Sequence, residues 1–520
     1  MSVRVESAGG IPRTSDWYAS RARRRSLIAA AIAIALAGAY AAAIVATEGD
    51  GRLVIPVVAI LVVFAILANP AVGIYLLFAA GILFEQFPIT GLTPITSQTH
   101  IFANLSEYTD FPLRLSLSDL LIALTALSWA ARLVMARDRT ATTMGPFGWA
   151  VVGYLMVFGV GVAIGVARGG AWDPNATLGE LRGPAYLFLL YFLAANLIRD
   201  RAQLGILAWI LVAAVGVKAV QGLLNYQEAL SGPLAVAATV ANQAVTADED
   251  VIFFDLAIAL AVVLMLLGVR GRLTHALFVL LPLILAAEML TQRRAGFIAL
   301  GAVLIAVMLL VLISDPRRGL ALAAIGTISL GIYLALFWDQ SGPLGGPVRA
   351  LRAVMDPASV STRDMSSDAW REIENRNIAY TISQLPLTGV GVGQQYIFRE
   401  EPPPLPASFT YWRYITHNAL LWMWLKAGPL GAFALWFLVA RVLLVASSAY
   451  VRLRDPALRA AAAVIVGLTV IQIVFSSVDL GLTYSRTMIV LGVTLGLGAL
   501  IVRSGAAGRP LRLATEREAP

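Results

Sequence analysis

His417 is the residue of this 520-residue chain whose type and position point most directly to chemistry. It stands two residues before the apolar run ALLWMWLKAG, and Thr416 is expected to cap a helix there. The positive end of a helix lowers the pKa of a nearby imidazole, and a neutral imidazole can take a proton from a hydroxyl. His417 is therefore a candidate general base, although a single histidine at a helix end also fits a capping role. The chain has no cysteine and two other histidines, neither spaced to share a metal with His417, so we predict no metal and no cofactor.

A second candidate is the pair Arg293 and Arg294, which opens an apolar run in TQRRAGFIAL. A helix that starts at this pair would hold two cations at an end that is already partly positive and that favours anions. Arginine is well suited to fixed, bidentate contact with phosphate. The alternative is a pair of long side chains reaching lipid phosphates. For two adjacent arginines, we favour a ligand anion.

Arg371 and Arg376 are further candidates for binding an anion. They lie on a predicted amphipathic helix over about 370–385. On a solvated helix face they would instead pair with Glu372 and Glu374, which are close in sequence. Taken by itself, that solvated face explains the two arginines better than a ligand does.

The glycine-rich turn TGVGVG follows this helix. Gly389 and Gly391 could leave backbone N–H groups facing a phosphate, so both are supporting candidates. No strand precedes the turn, and the pattern therefore lacks the context of a nucleotide-binding fingerprint.

Three other sites hold charged residues within or beside apolar runs. Glu180 and Arg182 would either pair with each other or leave Arg182 to join an anion site. The sequence indicates no partner for Lys218. Asp255 lies inside an apolar run, where a carboxylate is a functional candidate by default.

The composition assigns the chain to the integral membrane proteins. Hydrophobic residues make up 59% of it and charged residues 13%, whereas a soluble domain has roughly 25% charged residues. The apolar runs are continuous rather than alternating, so they predict membrane helices and not a barrel. The net charge of +8 is attributed to cytoplasmic loops that face anionic lipid.

The apolar runs predict an all-α polytopic bundle of about fourteen spans, within a range of 12–14. The second and third of these are separated only by Asn-Pro and could form a re-entrant pair. The predicted spans are 26–47, 53–69, 71–86, 117–136, 146–167, 184–198, 203–224, 251–268, 274–291, 295–313, 319–338, 418–446, 457–477 and 483–503.

Arginine clusters between the spans predict the orientation, because cytoplasmic loops carry the excess of basic residues. We expect residues 1–25 to form a cytoplasmic tail rather than a cleaved signal, and 26–338 to form a bundle of about eleven spans. Residues 339–417 would then be a long, partly helical external loop. Spans twelve to fourteen would occupy 418–503, and 504–520 would be a second cytoplasmic tail.

Three segments taken together resemble the signature regions of the O-antigen ligase and polymerase superfamily. They are TQRRAGFIAL, WREIENRNIAYTISQLPLTGVGVG and THNALLWMWLKAGPLGAFALWFL, and their order and spacing agree with that superfamily. The resemblance covers roughly residues 180–500. It implies that Arg294, Arg371 and His417 are the site residues, with Asn418 completing the His-Asn pair.

Some positions depart from that pattern. Arg293 stands where the superfamily often has serine, and Arg376 is the second choice for the arginine placed at 371. Asn375 stands where an aromatic residue is usual, and Lys426 where an acidic residue is common. These departures bear on the substrate more than on membership.

The resemblance implies transfer of a glycan from a polyprenyl-pyrophosphate carrier to an acceptor hydroxyl, without a metal, at the outer face of the bacterial cytoplasmic membrane. The partners would be the lipid-linked donor, a glycan, lipid or protein acceptor, and membrane lipid, with no role for nucleic acid. Ligation to a lipid core, polymerisation of repeat units and transfer to protein use the same donor chemistry. A polytopic transporter and a non-catalytic protein that binds lipid-linked glycans are the alternative functions.

Overall fold

A computed structural model describes residues 54–87, 89, 94–110, 112, 114–135, 142–231, 245–340, 342–355, 362–403 and 411–507. Within these residues the secondary structure is helical, apart from one isolated β-bridge between Asn104 and Ser116. The predicted N-terminal tail, the predicted span 26–47 and the chain after residue 507 lie outside the described residues.

The chain divides into two compact units, Met1–Ala68 and Asn69–Pro520. In the first unit the structure describes one helix, α1 (Val54–Ala68). The second unit contains the candidate site residues. Its α-helices are α2 (Ala71–Leu83), α3 (Leu105–Tyr108), α4 (Leu117–Met135), α5 (Gly148–Arg168), α6 (Pro174–Leu197), α7 (Arg201–Ser231), α8 (Asp250–Leu266), α9 (Arg272–Thr291), α10 (Arg294–Ser314), α11 (Pro316–Phe337), α12 (Gly346–Met355), α13 (Thr362–Gln384), α14 (Ala419–Arg452), α15 (Pro456–Ser476) and α16 (Ser485–Ala507).

Nine helices of the described part of the chain are long and apolar enough to cross a membrane, namely α4, α5, α7, α9, α10, α11, α14, α15 and α16. The other predicted spans that can be compared also fall on helices, but these are short or partly polar. Helices α1, α2 and α8 have 15, 13 and 17 residues, whereas a membrane crossing needs about 20. Helix α6 carries Glu180 and Arg182 in its first half. The described residues therefore support nine spans and do not confirm the predicted count of about fourteen.

Helices α6 and α16 form a close pair in the core. Glycines of α16 allow this approach, because a Cβ on Gly496 would lie only 2.5 Å from the Cβ of Ala194. Small residues at such a contact bring helix backbones together and increase van der Waals contact. Helix α15 packs against α14, α10 and α8. Its C-terminal end thereby lies beside the elements that carry the candidate residues.

Helix α14 is broken near its start. Ala427 and Gly428 leave the helical conformation, Gly428 with φ of 63°, and Pro429 follows. The turn after α13 fits onto this break, where Val390 N donates to Leu425 O at 2.7 Å. A Cβ on Gly428 would lie 2.3 Å from Leu387 O, so both the conformation and the space require glycine.

A buried ion pair joins the break to α6. Lys426 Nζ lies 2.6 Å from Glu180 Oε1 and donates to Gln394 O at 2.7 Å. Gly393 N and Trp422 Nε1 donate to the same carboxylate. These contacts fix the chain after α13 against α6 and α14, and so fix the position of α13 itself.

Candidate functional site

A cavity of about 570 Å³ lies between α13 and the chain that leads into α14. The two residues that follow α15, Ser477 and Val478, also line its wall. The polar and charged side chains that line it include Asp368, Arg371, Glu374, Arg376, His417 and Asn418. Four of these six are residues that the sequence proposed, namely Arg371, Arg376, His417 and Asn418.

His417 is held by Glu374. Its backbone N donates to Glu374 Oε2 at 3.0 Å, and its Nδ1 lies 3.3 Å from Glu374 Oε1. Glu374 is fully buried and comes from the middle of α13. A carboxylate accepts a hydrogen from Nδ1, so it favours the neutral tautomer in which Nε2 carries the lone pair.

The environment of His417 differs from the one predicted. Burial lowers the pKa of the imidazole, but the hydrogen bond and the charge of Glu374 outweigh this effect, and the pKa lies above its ordinary value. The expectation of a lowered pKa was therefore wrong. The helix cap is Asn418 rather than Thr416, because the Asn418 side chain accepts from Leu421 N at 3.1 Å.

Two neighbours fix the orientation of His417 and Asn418. The Trp370 ring meets the His417 ring edge-on, with centroids 4.9 Å apart and planes at 74°. Trp370 Nε1 donates to Pro403 O at 2.8 Å, so this indole is anchored at its other end. Asn418 Nδ2 donates to Asn375 Oδ1 at 3.3 Å. The imidazole is thus positioned by carboxylate and aromatic contacts together.

Arg294 and Arg371 meet at one carboxylate. Asp368 Oδ1 lies 2.5 Å from Arg294 Nη2 and 4.0 Å from Arg371 Nη1. Because Asp368 lines the cavity, Arg294 is joined to the cavity wall through it. Arg371 Nη1 also donates to Ser367 Oγ at 2.8 Å. The Nε of Arg371 is buried without a hydrogen-bond partner among the described residues.

Arg293 and Arg294 start α10, as predicted, with Arg293 at the N-cap position. Arg293 forms an ion pair with Asp248. Asp248 lies near enough to Arg371 and His417 for their charges to act on its carboxyl. Arg293 is therefore close to the cavity, although it is not one of the residues that line it.

Arg376 lies at the exposed side of the cavity. It donates to Glu372 Oε1 at 2.7 Å and to Glu400 Oε2 at 2.8 Å. The pairing with Glu372 is the contact on the helix face that the sequence indicated as the alternative to ligand binding. Glu374 does not take part in it and instead holds His417.

Arg182 contacts residues that do not line the cavity. It donates to Asn104 Oδ1 at 2.6 Å and is 3.2 Å from Asp119 Oδ2. It does not pair with Glu180, whose partner is Lys426. The structure therefore does not bring Arg182 to the cavity wall.

Gly389 and Gly391 are packed inside the turn that docks onto α14. A Cβ on Gly389 would lie 2.3 Å from Leu425 O, and one on Gly391 would lie 2.3 Å from Gly165 N. Gly389 N donates to Leu385 O at 3.0 Å. Neither glycine lines the cavity. Glycine is needed at both positions because neighbouring backbone atoms leave no room for a side chain.

A buried charge network lies behind Arg293. Arg486 donates to Glu249 at 2.8 Å and to Asp250 at 2.6 Å. Lys218, for which the sequence indicated no partner, contacts Asp250 at 3.0 Å and Glu85 at 2.5 Å. The network anchors the residues that directly follow Asp248 and thereby supports the Arg293 ion pair.

Asp255 faces a second carboxyl group in the interior of the bundle. Asp255 and Glu288 are both fully buried, and neither has a hydrogen-bond partner within the part of the chain that is described. A Cβ on Gly296, in the first turn of α10, would lie 3.1 Å from Glu288 Oε1. Glu288 therefore lies close to the turn that begins with the two arginines.

The structure adds Asp368 and Trp370 to the residues considered from the sequence, and it gives Glu374 a contact with His417 in place of the predicted pairing with an arginine. Asp368, Arg371 and Asn375 are spaced by three and four residues, so they share one face of α13. This spacing was a visible signal for Asp368. The contact of Glu374 with His417 crosses 43 positions, and no local pattern indicates it.

The O-antigen ligase family model matches residues 276–437. The matched residues run from α9 into α14. They contain Arg293, Arg294, Arg371 and His417. No curated protein matches the chain. The chain thus carries an O-antigen ligase domain at residues 276–437, and this match supports its resemblance to the O-antigen ligase superfamily.

Proposed function

We propose that this membrane protein transfers a glycan from a polyprenyl-pyrophosphate carrier to a hydroxyl group of an acceptor. The observation that carries the proposal is a cavity whose wall holds Arg371 and the carboxylate-bound His417. Asp368 in the same wall forms an ion pair with Arg294. Such a cavity combines a proton acceptor with fixed cations. Transfer from a phosphate-linked sugar needs both.

The arginines serve the leaving group. Breaking the bond between the sugar and the pyrophosphate leaves negative charge on the phosphate oxygens, and guanidinium groups neutralise this charge through directed hydrogen bonds. Arg294 and Arg371 approach from α10 and α13. They can therefore contact the phosphates from two sides, with Arg376 at the exposed side of the cavity.

His417 serves the acceptor. Its Nε2 takes the proton of the acceptor hydroxyl while that oxygen forms a bond to the anomeric carbon of the donor. The bond from the anomeric carbon to the phosphate oxygen breaks, and its electron pair leaves with the pyrophosphate. Glu374 stabilises the imidazolium formed at His417. Attack opposite the leaving group inverts the anomeric configuration.

An apolar groove suits the lipid part of the donor. It has a volume of about 590 Å³ and lies between α7 and α9, beside Leu344. Val220 and Leu224 line one side, and Leu283 and Leu290 line the other. Leu290 is three positions before Arg293 in the chain. A polyprenyl chain in this groove would lead toward the arginines that begin α10.

The charge pattern of the loops supports an active site on the outer face of the bacterial cytoplasmic membrane, with residues 339–417 as the external segment. The five-part division of the chain, from tail 1–25 to tail 504–520, belongs to the same proposal. Reporter fusions after residues 140 and 400 test it. The fusion after residue 140 is expected to report the cytoplasm, and the fusion after residue 400 the external side. If both fusions report the same side of the membrane, the predicted orientation is wrong.

The activity is tested with the purified full-length protein in nanodiscs, supplied with a pyrophosphate-linked lipid glycan and candidate glycan, lipid or peptide acceptors. Product is expected with the wild type and is expected to be lost with Arg371→Ala. The matched control is Arg318→Ala, which removes an exposed arginine at the start of α11. Equal product from both variants would contradict the proposal.

A further inference from the structure

Asp368 stands between two arginines that the proposed function assigns to the pyrophosphate. Its Oδ1 is 2.5 Å from Arg294 Nη2 and 4.0 Å from Arg371 Nη1. A single oxygen therefore faces guanidinium groups from two helices. A phosphate oxygen that bridged the two arginines would need the same position.

The contact of Asp368 with Arg371 is incomplete. A separation of 4.0 Å exceeds hydrogen-bond distance. Arg371 Nη1 instead donates a hydrogen bond to Ser367 Oγ. Arg371 Nε is buried and has no hydrogen-bond partner in the described part of the chain. A buried donor without a partner is costly, so a phosphate oxygen of the donor that bound this nitrogen would be stabilised there.

Asp368 is also the most accessible member of the group. Its side chain is 45% exposed, compared with 23% for Arg294 and 26% for Arg371. It lines the cavity from the first half of α13. A change of its side-chain rotamer would carry the carboxylate toward solvent while the helix and both arginines stay in place.

We propose that Asp368 is an internal competitor for the pyrophosphate of the donor. It neutralises Arg294 and bridges toward Arg371 when the cavity is empty, and it rotates outward when the donor binds. The pyrophosphate carries more negative charge than one carboxylate and also satisfies Arg371 Nε, so it displaces Asp368. After transfer, the return of Asp368 to the arginines promotes release of the lipid-linked pyrophosphate. This inference rests on the proposed function and adds a residue that sets donor affinity.

The test measures binding of inorganic pyrophosphate to the full-length protein by calorimetry, in nanodiscs of zwitterionic lipid and without divalent cations. Asp368→Asn removes the competing charge and keeps the side-chain size. It is expected to tighten pyrophosphate binding about three- to tenfold, because tenfold corresponds to the energy of one moderately strong ionic contact. Asp368→Glu keeps the charge and is expected to stay close to the wild-type affinity.

Glu372→Gln is the matched control, since Glu372 lines the same cavity one turn along α13 and pairs with Arg376. It removes the same charge and is expected to change the affinity less than Asp368→Asn does. Equal tightening by both variants would show a general charge effect and overturn the role of Asp368. Asp368→Ser serves as a second variant if Asp368→Asn does not fold.

Arg371→Ala separates this inference from the proposed function. If Arg371→Ala leaves pyrophosphate binding unchanged, the arginine site of the proposed function fails. If Arg371→Ala weakens binding but Asp368→Asn does not tighten it, the arginine site stands and the competitor role of Asp368 is wrong.

Discussion

Glu374 holds His417 at two points, the backbone N at 3.0 Å and the ring Nδ1 at 3.3 Å. One buried carboxylate thus fixes both the position of the chain before α14 and the orientation of the imidazole. Because the same carboxylate raises the pKa of His417 above its ordinary value, its effect on reactivity can be measured through the pH dependence of transfer.

Replacement of Glu374 by glutamine is expected to move the acid limb of the kcat/KM profile to lower pH. The charge of Glu374 raises the pKa of His417, so its removal lets the imidazole lose its proton at a lower pH. The maximal rate should fall, because the imidazolium formed during transfer loses its carboxylate partner. The measurement is the initial rate of transfer over a range of acceptor concentrations at each pH of a series, which gives kcat and kcat/KM separately.

Glu400→Gln provides the control for this profile, because Glu400 pairs with exposed Arg376 and not with His417. Its acid limb should coincide with that of the wild type. An acid limb of Glu374→Gln at the wild-type pH would exclude His417 as the group that titrates.

Replacement of Arg294 by alanine is expected to raise the KM for the donor and to lower kcat. In the proposed function its positive charge binds the pyrophosphate in the ground state and acts more strongly on the negative charge that develops there in the transition state. Arg294→Lys should restore part of the activity only, because an ammonium group cannot reproduce the bidentate contact of a guanidinium. Full activity of Arg294→Ala would show that this arginine does not bind the donor.

Separation of the Glu180–Lys426 pair is expected to destabilise the bundle strongly. Both side chains are buried, and removing one partner of such a pair typically costs about 3–5 kcal/mol. Lys426→Met and Glu180→Gln should each lower the unfolding midpoint in mixed micelles. The double variant should lose less than the sum of the two, and strict additivity would mean that the ion pair contributes no coupling.

The helices and the start of α10 could be predicted because their causes are local. Continuous apolar runs identify membrane helices, and the change from polar to apolar residues at Arg294 sets the first turn of α10. The number of spans could not be predicted equally well. The 17-residue α8 is as apolar as a span, but its length falls short of one.

The partners of the charged side chains could not be read from the sequence, because they come from distant parts of the chain. Arg486 contacts Asp250 across 236 positions, and Arg182 contacts Asp119 rather than its neighbour Glu180. The prediction of a lowered pKa for His417 was wrong for the same reason. The sequence showed that a helix end near His417 would lower its pKa. The stronger, opposite effect of Glu374 on that pKa depends on how α13 packs against the chain before α14.

The central claim is that His417 acts as the base while other residues bind the donor, and single-turnover transfer by His417→Ala tests it most directly. The variant is incubated in nanodiscs with the lipid-linked donor, donor binding is measured, and transfer is started by adding acceptor, with and without EDTA. We expect donor affinity close to that of the wild type and a rate lower by about 10²–10⁴, the usual contribution of a general base.

The control is His275→Ala, because His275 is exposed on α9 outside the cavity. This variant should keep the wild-type rate. EDTA should leave every rate unchanged. Transfer by His417→Ala at the wild-type rate would contradict the account.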